Sequence, residues 1–140
     1  MRPLALALIF FAVPVAPVEH DPLAGPISDG QLGELLHQQT PTNLDPALEH
    51  QLVALAGSAL IADLTGHGRE RFPDYLPGTP PTRAHTKIRV QAGVARQTTD
   101  TGVDVQLVWA GTTPAGDHLE RQHTTIRLDY GPDGWRPVAP

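Results

Sequence analysis

The residues of this chain with the most chemical potential are its seven histidines, His20, His37, His50, His67, His85, His118 and His123. Imidazole ligates zinc and exchanges protons near neutral pH. A structural metal site needs ligands paired at short spacing, and only His118 and His123 stand five apart. If that stretch is a strand, His118 lies at its mouth and His123 on its solvent face, so the two need not converge. There is no cysteine to complete a ligand set, which also excludes disulfides and lipid attachment through a thiol. The two serines, Ser28 and Ser58, lack a G-x-S-x-G elbow and read as a helix cap and a helix residue. Gly66-His67-Gly68-Arg69 follows a helical pattern and lacks the Lys-Ser/Thr ending of a phosphate loop. No catalytic, metal or cofactor site is expected.

The elements that would position any site are legible in turn. Ser28 and Gln31 make an S-x-x-Q capping box, with Ile27 and Leu32 as its staple. Leu32, Leu35 and Leu36 continue one face, predicting a helix over 29–39. Asp45 is an N-cap with Pro46 at the first helical position. Leu48, Leu52, Leu55, Ala56, Ala59 and Leu60 then recur at helical spacing until Gly66, predicting a long core helix over 45–64. A short turn is expected within 68–75, before the Pro77-Gly78-Thr79-Pro80-Pro81 breaker.

Beyond residue 84 the period changes from 3.6 to 2. Ile88, Val90 and Val94 alternate with Lys87, Arg89 and Gln91; Val103, Val105, Leu107 and Trp109 alternate with Asp104 and Gln106; Thr124, Ile126 and Leu128 alternate with His123, Thr125 and Arg127. These are half-buried strands of an antiparallel sheet. The hairpin Gly131-Pro132-Asp133-Gly134 returns the chain into Trp135-Arg136-Pro137-Val138. The fold class is α+β: a long N-terminal helix packed on a cone-like antiparallel sheet of about four strands.

Leu48 to Leu64, the strand Val103 to Trp109, and Thr124 to Val138 with its Asp133-Gly134-Trp135-Arg136 resemble the nuclear transport factor two-like (cystatin-like) superfamily. The resemblance is closest to envelope-exposed domains of bacterial bitopic proteins, the accessory and scaffold proteins of lipid-import and conjugation machines. It implies two alternatives, a non-catalytic accessory domain or a small pocket enzyme or ligand-binding protein. Catalytic relatives require an acid or base inside the cone. The predicted core face carries none, which favours the non-catalytic alternative. The opposite face gathers Lys87, Arg89, Gln91, Arg121, His123, Arg127 and Arg136, the candidate docking surface for an envelope protein partner.

Composition supplies the address. Leu4 to Ala16 is a 13-residue run without charge behind Met1-Arg2, matching a secretory signal and too short to span a bilayer comfortably. Residues 1–18 therefore read as a signal-type segment or marginal anchor, 19–27 as a linker and 28–140 as one domain. The chain is expected to be exported, secreted or tethered outside the cytoplasmic membrane, touching the membrane only through that segment. A formal net charge of −5 and few aromatic residues disfavour nucleic acid as a partner.

Overall fold

The computed structural model describes residues 27–140, so the expected export segment and all of the linker but Ile27 lie outside the described residues. Helix α1 spans Asp29–Gln39 and α2 spans Pro46–Thr65, followed by a single 3-10 turn at Arg69–Arg71. Strands β1 (Thr86–Gln97), β2 (Gly102–Thr112), β3 (His118–Gly131) and β4 (Gly134–Val138) form an antiparallel meander in the order β1-β2-β3-β4. The architecture is α+β, two helices on a four-stranded sheet.

Local chemistry fixes the helix ends. The Ser28 side chain accepts from Gln31 N–H, and the Gln31 side chain returns the bond to the Ser28 backbone. Asp45 accepts from Ala47 N–H, and Gly66 closes α2 in the left-handed conformation at φ 81°. By length and composition α2 could cross a membrane. Its apolar side is instead taken up by the sheet. Leu52, Ala56, Ala59 and Leu60 pack with Val103, Val105, Leu107, Ile126 and Leu128, all at most 1 % exposed.

Side-chain alternation breaks where the strands bulge. β1 shifts register between Val90 and Ala92, so Gln91 is an extra residue and the parity beyond it inverts. Val94, expected on the face toward the long helix, points the other way and packs with Ala92, Val108, Leu32 and Leu36. Gly93 and Ala95 take the positions facing α2. Further bulges carry Lys87 at φ 55° and Arg121 at φ 52°, the two non-glycine residues with positive φ among the described residues.

The inversion has a consequence for the face expected to be wholly solvated. Helix α1 lies over it at β1 and β2, burying Ala92, Val94 and Val108. The sheet is therefore covered on one face by α2 and on part of the other by α1. Trp135 is half-buried and sets its ring edge-to-face against exposed Tyr130 at 5.1 Å.

Candidate functional site

The polar face divides where α1 ends. On the α1 side, Arg89 reaches Asp29 at the helix start, with Nε to Oδ2 at 3.1 Å. Gln91 is buried in its bulge and extends across β2. Its amide donates to Glu120 at 3.3 Å and its oxygen accepts from the Arg121 backbone N–H at 3.1 Å. His118 lies 2.8 Å from Glu120, and this bond, with lesser help from Gln91 and Arg89, holds the Glu120 carboxyl below its ordinary range. Lys87 is exposed at the start of β1. This corner is a hydrogen-bonded rim that ties α1 and β1 to β3.

On the open side, β3 and β4 present Thr125, His123 and Arg136 to solvent. Arg127 is half-buried between two carboxylates, with Asp104 at 3.4 Å on β2 and Asp129 at 3.2 Å on its own strand. Its guanidinium also donates to Thr99 at 3.3 Å. Arg136 pairs with Asp74 at 3.1 Å, while Ala139 N–H donates to the Asp74 carbonyl, so the loop after the 3-10 turn braces the edge strand β4. Asp104, Thr125, Arg127, Asp129, Tyr75 and the last residues from Val138 line a shallow open hollow of about 560 Å³.

The seven residues of the expected docking surface thus do not form one cluster. Arg89, Gln91 and Arg121 belong to the rim beside α1, with Lys87 at its outer end. His123, Arg127 and Arg136 belong to the open half. Periodicity alone could not separate them, because Lys87, Gln91 and Arg121 each sit on a bulge. Arg89, Arg127 and Arg136 each hold a carboxylate, so the face is charge-balanced and suited to reversible polar contact. Reversing the charge of Arg127 would press a third carboxylate between Asp104 and Asp129, so that half-buried side chain is structural.

One polar group on the α2 side escaped the sequence reading. Glu49 is 9 % exposed and its carboxylate takes three bonds: Ala95 N–H at 3.1 Å, and His37 Nε2 at 2.9 and 3.1 Å from its two oxygens. His37 Nδ1 lies 2.9 Å from the Gly33 carbonyl. The available signal was that Glu49 shares the stripe of Leu52, Ala56 and Leu60. A carboxylate on a core stripe needs donors. With Nε2 held by Glu49 and Nδ1 by a carbonyl, neither nitrogen of His37 is free to take a proton from a substrate. Among the described residues no three of His, Asp or Glu converge into a set that could hold a metal ion. No protein-family model, curated protein or solved structure matches this chain.

Proposed function

We propose that this protein is a non-catalytic accessory domain of the bacterial cell envelope, exported or tethered outside the cytoplasmic membrane by residues 1–18. It docks into a larger assembly, of conjugation, secretion or lipid-import type, through the part of its sheet that α1 leaves open. The observation that carries this reading is the division of the polar face. One half is closed by α1, while the other offers His123, Thr125 and Arg136 beside an Arg127 already fixed in direction by Asp104 and Asp129. A surface whose charges are pre-positioned loses less side-chain freedom when a partner binds.

In this reading α2 closes a cone-like sheet in the manner of the nuclear transport factor two-like superfamily, and the cone is filled. Leu52, Leu60, Leu107, Ile126 and Leu128 occupy the space in which a pocket enzyme or ligand carrier of this fold would hold its ligand. That occupancy is why the pocket alternative receives less weight.

Two measurements test the proposal. A fusion of residues 1–30 to a reporter active only outside the cytoplasm should be active, and a silent reporter would contradict export. In gently solubilised envelopes the wild-type protein should sediment with a large assembly. The double variant H123E/R136E should sediment as the free protein while losing at most about 1 kcal/mol of stability with the exposed Arg136–Asp74 pair. Sedimentation of both proteins as the free species would contradict docking.

A further inference from the structure

The cleft between α1 and α2 carries a second, independent device. It is lined by His37 of α1, by Pro46, Glu49, His50 and Val53 of α2, and by Gly93 of β1. The titratable groups facing the His37 ring across it are therefore Glu49 and His50; on α1 itself, Glu34 stands three residues before His37. Glu49 accepts a hydrogen bond from Ala95 N–H, as a carboxylate does, and Gly33 offers His37 a carbonyl, which only accepts. An imidazole placed between two acceptors satisfies both only when both of its nitrogens carry protons. His37 fastens the C-terminal half of α1 to α2 through Glu49. At the other end Arg89 holds Asp29.

We propose that the His37–Glu49 pair is a pH-sensitive latch: protonated His37 keeps α1 closed over β1 and β2, and loss of that proton loosens the helix. Loosening lifts the last turns of α1 away from α2 and widens the cleft toward Pro46, Val53 and Gly93. In the closed state the His37 pKa lies above its ordinary value, chiefly through the bond to Gly33, then opposed by burial and aided by Glu49. Reciprocity follows: whatever favours the closed helix favours the proton, and the proton favours the closed helix to the same degree. The Arg89–Asp29 pair and the Leu32 and Leu36 contacts do not depend on His37, so the opening is local, centred on the last turns of α1.

Backbone hydrogen exchange in the full-length chain, corrected for its intrinsic rise with pH, tests this from about pH 5.5 to about pH 9. Protection of the amides from Leu36 to Thr40 should fall at least about threefold as His37 loses its proton, followed by the ring nitrogen resonances, while α2 stays unchanged. H37Q should give a flat profile, and H50Q should keep the wild-type one. The proposal is overturned if α1 protection stays constant through the His37 titration, if the fall persists in H37Q, or if it vanishes in H50Q. Should H37Q not fold, coincidence of the wild-type ring titration with the loss of protection supports the latch, and a mismatch overturns it.

Discussion

Glu49 and Ala95 are joined by a single hydrogen bond, carboxylate to backbone N–H at 3.1 Å, that closes the outer edge of β1 with a side chain from α2. The edge is continued by the connection between the helices. Thr42 donates to the Ala95 carbonyl at 2.6 Å, and Asn43 both donates to and accepts from the Gln97 backbone. An edge strand with open backbone groups invites pairing with other chains. Here three side chains stand where another strand would add.

Removing Glu49 therefore strands a buried N–H. E49A should destabilise the domain by about 1–3 kcal/mol in urea unfolding. E49Q, which keeps an oxygen for Ala95, should cost less. Equal costs for the two variants would mean that the Ala95 bond contributes little.

Gly93 leaves room on β1 for the Val53 side chain of α2. A Cβ there would stand 2.5 Å from a Val53 methyl and 3.0 Å from a Leu107 methyl. G93A should cost about 1–3 kcal/mol through overpacking. Combining it with V53A should recover part of that loss, because contacting residues are not additive. Full additivity would place the strain elsewhere.

Stability should depend on pH through His37 in a definite direction. Its pKa is raised in the folded state above 6.5, so the stability it contributes is fully present below 6.5. It is lost as pH rises through the folded-state value. The difference in unfolding free energy between wild type and H37Q should therefore shrink from mildly acid to alkaline pH. A difference that grows with pH would contradict the assignment of both ring nitrogens as donors.

The parts of the fold written in local chemistry were legible from the residues. Ser28 with Gln31, Asp45 with Pro46, and Gly66 announce helix ends because capping is decided within one turn of chain. The alternation of Val103, Val105, Leu107 and Trp109 announces β2 because that strand is regular between its neighbours until Trp109. What periodicity could not show is a change of phase. Gln91 adds one residue to β1, and every side chain after it changes face, which is why Val94 sits under α1. The division of the docking face was invisible for the same reason. Nothing local reveals that α1 folds back onto the sheet face opposite α2. Glu49 was nearly legible, a carboxylate in register with Leu52, Ala56 and Leu60. The partners that make it tolerable, His37 and Ala95, are 12 and 46 residues away.

The most direct test of the docking account is photocrosslinking in living cells from two positions on the full-length chain. One probe replaces Thr125, in the middle of the open half of the sheet. The other replaces Gln51, exposed on α2, on the opposite side of the sheet. One discrete crosslinked product is expected in the envelope fraction from position 125 and none from position 51. H123E/R136E should abolish that product without lowering the level of the protein. Equal crosslinking from both positions, or a product from position 51 alone, would show that the open half of the sheet is not where this domain meets its partner.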